Sequence, residues 1–191
     1  MNGAYFGNAG VFLVQTLFGL YTLALMLRFL LQWARADFYN PLVQFLVKLT
    51  NPLLLPLRRF IPGLLGLDMA ALVLMLIIKL VEWSLIYSIV GQSSNLVALI
   101  VIALADLLNL LINVWFWSIL IRAVMSWFNP DYRQPVVALI LQLTEPILRP
   151  ARQLIPAFSG IDLSPILILL LLQLTKLLLI APLWDLGRQL L

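Results

Sequence analysis

The sequence contains no cysteine and no histidine. Their absence removes thiolate nucleophiles, disulfides, imidazole acid–base chemistry and the usual protein ligands of zinc, haem and iron–sulfur clusters. Charge is scarce as well: 10% of the 191 residues are Asp, Glu, Lys or Arg, against about 25% in soluble domains. No glycine-rich nucleotide loop and no G-x-S-x-G elbow occurs, and Ser93-Ser94 lies in a polar turn with no base nearby in sequence. Those motifs carry nucleotide-dependent and hydrolytic chemistry. The sequence therefore predicts a protein that is not an enzyme and holds no cofactor or metal.

What remains is hydrocarbon. Hydrophobic residues make up 63% of the chain. They come in runs longer than the roughly 18 residues that cross about 30 Å of lipid at about 1.5 Å per helical residue. The expected fold is all-α and integral to the membrane, with spans near 11–31, 69–89, 96–121 and 163–184. Gly91-Gln92-Ser93-Ser94-Asn95 alone separates the middle two, which makes them an antiparallel hairpin. The start of the chain lacks the cationic region of a cleavable leader.

The other two connections are long and rich in Pro and Arg. One carries Arg35, Lys48, Arg58 and Arg59, the other Arg133, Arg149 and Arg152, with Arg28 and Arg122 just inside the preceding helix ends. The positive-inside rule makes both connections cytoplasmic and both termini periplasmic. A net charge of +4 is then read as setting topology and meeting anionic lipid headgroups, not as a nucleic-acid footprint.

A shift of 94 residues superposes the chain on itself without a gap: Arg28 falls on Arg122, Trp33 on Trp127, Asp37 on Asp131, Pro41 on Pro135 and Thr50 on Thr144. The match continues through Pro52/Pro146, Pro56/Pro150, Arg58/Arg152, Pro62/Pro156, Gly66/Gly160 and Asp68/Asp162. Shared Pro, Trp, Gly and Arg are not explained by apolar composition. The chain thus divides into repeat units at 1–94 and 95–191, each with two spans. An even number of spans orients both copies alike, about a pseudo-twofold axis along the membrane normal.

Inside each long connection, near 41–60 and 135–154, the pattern predicts an amphipathic interfacial helix. Pro52 and Pro146, following Thr50 and Thr144-Glu145, sit where a new first turn would need no amide hydrogen, so a second short helix is expected to start there. Pro56 and Pro150 limit its regularity, and Pro62 and Pro156 end it. Asp68 and Asp162 are expected to cap the following span. An elbow shaped by prolines, with arginines reaching lipid phosphates, accounts for this motif by itself. The alternative is that Arg28, Arg58, Asp68 and their counterparts Arg122, Arg152 and Asp162 form a docking surface for another integral membrane protein or a lipid headgroup.

Arg28–Trp33, the run from Thr50 to Pro62, and above all Leu143-Thr144-Glu145-Pro146-Ile147-Leu148-Arg149-Pro150-Ala151-Arg152, followed by Ile155-Pro156 and Gly160–Pro165, resemble the YggT family of bacterial membrane proteins. The resemblance covers nearly the whole chain in a two-copy form, and the second copy is the closer match. It implies a bacterial inner-membrane location. It also implies a link to osmotic or potassium stress tolerance, to division-site and envelope organisation, or to cytochrome complex assembly and nucleoid distribution in plastids. Without His or Cys, a direct haem-handling role is not expected. The first copy departs from the motif at Asn51, where the second has Glu145, and at Ala71, where it has Pro165.

Charges within a span are costly, about 2.5–3.5 kcal/mol each on insertion scales. Lys79, Glu82, Asp106 and Lys176 are the candidates. Helical rise places them, with Gln15, Asn109, Asn113 and Gln173, in one layer roughly 14–24 Å from the cytoplasmic helix ends. Glu82 and Lys176 are equivalent under the repeat, so the pseudo-twofold axis predicts an ion pair between them. The layer is read as a neutral, self-satisfied network, with a proton or cation path and a partner-helix face as alternatives. Trp33, Trp127 and Trp184 read as interfacial anchors and Trp83, Trp115 and Trp117 as packing residues. The function expected is an assembly, scaffold or membrane-organising factor acting through the elbows. The alternative is a part in ion homeostasis, which two spans per repeat would allow only in a homo-oligomer or beside a transporter.

Overall fold

The computed structural model describes residues 2–64, 66–128, 131–154 and 162–191. Its helices are α1 (Asn2–Trp33), α2 (Pro41–Arg58), α3 (Met69–Val90), α4 (Leu96–Met125), α5 (Pro135–Leu154), α6 (Ser164–Thr175) and α7 (Ala181–Gln189). A π turn, Lys176–Ile180, runs α6 into α7, and no strand occurs among the described residues. Four stretches are long and apolar enough to cross a membrane: Tyr5–Trp33, Met69–Val90, Leu96–Phe128 and Ser164–Gln189. Most overrun the spans expected from hydropathy, because apolar runs mark only the part of a helix suited to hydrocarbon.

The helix ends follow from local chemistry. Asn40 accepts the Leu42 amide at 3.0 Å and Asn95 accepts the Val97 amide at 3.0 Å, starting α2 and α4. Gly91, at φ 73°, closes α3 in the left-handed conformation that glycine adopts without strain, which tightens the α3–α4 hairpin. Asp68 caps α3 through the Ala71 amide at 3.3 Å. Asp162 instead takes the Ser164 amide at 3.0 Å: Pro165 stands where Ala71 donates in the first copy and has no amide hydrogen to give.

α1 packs along α3, and α4 along the last span, while the α3–α4 hairpin joins the two pairs. α2 lies against α1 and α3, and α5 against α4 and α6. The core runs through Leu25, Met26 and Leu30 of α1, Leu54 of α2, Ala70, Ala71, Leu74 and Met75 of α3, and Val114 and Leu143 beyond. Small residues set the closest approaches, since dispersion contacts rather than hydrophobic exclusion hold helices together in lipid. Gly187 shows this most sharply: a β-carbon there would lie 2.5 Å from Ile102 Cγ1, so α7 meets α4 at a distance only glycine permits.

The expected break at Thr50 and Thr144 does not occur. Each connection holds one helix that carries two prolines inside it, Pro52 and Pro56 in α2, Pro146 and Pro150 in α5. The threonines cap nothing; their hydroxyls donate back to the carbonyls of Leu46 (2.6 Å) and Ile140 (2.7 Å). A proline disturbs the carbonyl ladder in the turn before it, and here that turn is held by side chains. α2 ends at Arg58, ahead of the exposed Pro62, whereas Pro156 lies outside the described residues.

Candidate functional site

The repeated motif folds into a clamp that appears once in each copy. Arg28, near the end of α1 and 7% exposed, donates through Nη1 to Thr50 Oγ1, to Asn51 Oδ1 at 2.9 Å and to the Val47 carbonyl at 3.4 Å. Arg122, near the end of α4, donates to Thr144 Oγ1 at 2.7 Å, to Glu145 Oε2 at 2.8 Å and to the Leu141 carbonyl at 3.4 Å. Each guanidinium thus ties a span to the pre-proline turn of its elbow helix. Thr50 and Thr144 are fully buried in the process.

A second ion pair closes each elbow on the next span. Arg58 pairs with Asp68 and also donates to Gln32 Oε1 at 3.3 Å. Arg152 pairs with Asp162 at 2.9 Å and with Glu145 at 3.1 Å. In the second copy Glu145 therefore links Arg122 to Arg152 in a continuous chain of alternating charge. In the first copy Asn51 cannot do so. A cavity of about 300 Å³ lies between Arg28 and Arg58, lined also by Gln32, Ala36, Phe38 and Val47 among others.

The two elbows also meet. Asn40 donates to the Pro135 carbonyl at 2.9 Å, and the Asp37 amide to Gln142 Oε1 at 3.3 Å. Below these bonds, Leu42, Phe45, Val136 and Leu139 help to line an apolar hollow of about 290 Å³.

Burial would raise the Glu145 carboxyl, but Arg122 and Arg152 hold it below its ordinary value. Burial opposes the same outcome at Asp162, where hydrogen bonds from Arg152 and Ser164 prevail. Both carboxyls bind protons less readily folded than unfolded. Their contribution to stability is thus fully present above the unfolded range near pH 4 and is lost as pH falls through the lowered folded values. Thermal unfolding of the purified protein is expected to move to lower temperature below about pH 4, with a shallower dependence in Glu145→Gln. An equal slope in the variant would remove Glu145 from this role.

Deeper in the bundle the polar residues resolve into two groups. Lys79 pairs with Glu82 at 2.8 Å and lies 3.7 Å from Asp106. Asp106 also accepts the indole N–H groups of Trp83 at 2.9 Å and Trp184 at 2.8 Å. Lys176 donates to Asn113 and stands over the Phe116 ring, 5.5 Å from its centroid. The expected Glu82–Lys176 pair is therefore incorrect. Among the described residues α3 does not pack on the last span; both pack on α4, so equivalent positions in the two copies face different neighbours. Asn109, half-buried on α4, joins neither group.

Trp83 and Trp184, expected as a packing residue and an interfacial anchor, are instead the indole donors to Asp106. The signal was available: a buried indole N–H needs an acceptor, and Asp106 is the one carboxylate in the sequence of α4. Trp33, 41% exposed, meets Trp115 edge to face at 5.9 Å, and Trp127 is exposed. Pro52, Pro56 and Pro150 face outward, and Pro146 is half-buried.

An all-helical chain with four potential spans and one clamp built twice defines a multi-pass membrane protein with an internal repeat. The family model described as CCB3/YggT matches residues 7–89 and again residues 96–183, and the chain belongs to this family. An uncharacterised protein of Pseudomonas aeruginosa is 43% identical over 175 residues, covering 91% of this chain and 89% of its own. The uncharacterised YggT of Escherichia coli K12 is 41% identical over 168 residues, 86% of each chain. An uncharacterised protein of Vibrio alginolyticus is 38% identical over 182 residues, 93% of this chain and 98% of its own. No solved structure matches significantly.

Proposed function

We propose that this protein is a non-enzymatic inner-membrane factor that organises or assembles a partner, docking another integral membrane protein or lipid through its paired elbows. In this reading the elbows lie in the cytoplasmic interface and both termini are periplasmic, the orientation that the arginine distribution supports. One observation carries the proposal: the clamps fix each elbow helix to its span and the Asn40–Pro135 bond joins the two elbows, while Phe38, Tyr39, Phe45 and Phe60 of the first copy and Trp127, Phe128 and Tyr132 of the second stay exposed. Rigidly held, exposed aromatics at one end of a bundle suit contact with a membrane partner.

The test is in-cell crosslinking from photoreactive residues in place of Arg59 and Gln153, both exposed beside the clamp. A single membrane protein recovered from both positions, and lost on Arg152→Ala, is the expected result. Recovery of self-crosslinks alone would overturn it.

A second reading, a part in potassium or osmotic homeostasis within an oligomer or beside a transporter, is favoured by a hollow of about 230 Å³ that Asp106 and Arg188 line together with Trp83, Tyr87, Ile102 and Trp184. Potassium flux in proteoliposomes that falls on Asp106→Asn would support that reading over the first.

A further inference from the structure

The two copies of the clamp differ in charge at one place. Arg122, Arg152, Glu145 and Asp162 cancel in the second elbow, whereas Arg28, Arg58 and Asp68 leave one positive charge in the first. The difference is Asn51. Its amide oxygen meets Arg28 at 2.9 Å but supplies no charge and, among the described residues, no contact to Arg58. The Nη2 group of Arg122 donates to the Glu145 carboxylate; Nη2 of Arg28 has no acceptor among the described residues. Asp68 does not make up the deficit, since it is already held by Arg58 and by the start of α3.

The vacancy is a real volume. Arg28 and Arg58 line the same cavity of about 300 Å³, and Arg58, Gln32 and Asp68 line an adjoining hollow of about 400 Å³ that reaches Gly63 and Gly66. Two guanidinium groups of like sign facing one space, one of them almost wholly buried, call for an anion. Guanidinium forks match the oxygens of carboxylate and phosphate through charge-assisted and often paired hydrogen bonds, and with the carboxylate of the second elbow missing here, phosphate is the matching anion that the membrane surface and the cytosol both supply.

We infer that the first elbow binds a phosphate oxyanion between Arg28 and Arg58, in the place that the Glu145 carboxylate occupies in the second. The phosphate belongs either to a lipid headgroup or to a free ion. This deepens the elbow-docking reading and rests on it only in placing the cavity at headgroup level. Anion binding by purified protein and partner crosslinking in cells can fail independently.

The variant that tests it is Asn51→Glu, which gives the first elbow the carboxylate of the second and so fills the vacancy while keeping an oxygen acceptor for Arg28. Full-length protein in detergent is titrated with inorganic phosphate, and protein in nanodiscs of phosphatidylglycerol is compared with protein in nanodiscs of a phosphate-free diglycosyl diacylglycerol, by thermal shift and native mass spectrometry. Wild type is expected to be stabilised by the anion, and Asn51→Glu to be more stable without it and to bind it at least about tenfold more weakly. Glu145→Asn is expected to gain a second bound phosphate. Response to inorganic phosphate identifies a free-ion site; response only to the phosphatidylglycerol discs identifies a headgroup site. Wild type that binds neither, or an Asn51→Glu variant that binds as tightly as wild type, overturns the inference.

Discussion

Replacing Lys79 by Leu is expected to lower the stability of the bundle by about 3–5 kcal/mol, the range for stranding one partner of a buried ion pair. Glu82 is 4% exposed and its side chain meets Lys79 at 2.8 Å. Asp106, the next carboxylate, adds a like charge in the same neighbourhood and keeps its two indole donors whether or not Lys79 is present. The double change Lys79→Leu with Glu82→Leu removes both charges and is expected to return stability close to wild type, because desolvating the pair offsets most of its attraction. Folded yield and thermal midpoint in detergent decide the matter: a single variant no worse than the double would show that Glu82 does not depend on Lys79. Exchanging Glu82 and Lys176 is expected to give no mutual rescue, since Lys176 addresses Asn113 and Phe116.

Arg28→Ala is expected to release α2 from α1 while the four spans persist. One guanidinium satisfies Thr50, Asn51 and the Val47 carbonyl, and hydrogen bonds from a charged donor contribute about 1.5–3 kcal/mol each. Hydrogen exchange in α2 is expected to rise by orders of magnitude, with little change in the core of α3, because local opening sets exchange in a detached element. Arg28→Lys is expected to restore little, as the shorter ammonium stem stops short of the point from which Nη1 reaches Thr50, Asn51 and the Val47 carbonyl. Unchanged protection of α2 in Arg28→Ala would show that packing of Leu54 and Val43 holds the elbow without the clamp.

The number of spans and the repeat were legible because both are written in composition and spacing. Hydrophobic runs need no partner to be recognised, and a gapless match of Pro, Trp and Arg needs no structure. That Lys79, Glu82 and Asp106 share a level was legible too, since helical rise is fixed, and these three do meet. Which residues pair was not. Glu82 and Lys176 hold equivalent places in two copies, yet the copies join through the α3–α4 hairpin, an arrangement that the internal match does not encode. The proline rule misled for a related reason. Pro52 disturbs the carbonyls of the turn before it, and there Thr50 and Arg28 donate to the Leu46 and Val47 carbonyls from four and nineteen residues away in sequence.

The π turn at Lys176–Ile180 acts as a phase shifter. It spends one residue more per turn than the helix around it, which rotates everything after it by about 100° relative to an uninterrupted α-helix. Trp184 reaches Asp106 and Gly187 abuts Ile102 only in the rotated phase. α3, the equivalent span of the first copy, has no such turn. The two spans therefore share an ancestry in sequence but not a facing, and the interval from Lys176 to Pro182 is the place where a one-residue insertion or deletion would reassign which side of the last helix the rest of the bundle meets.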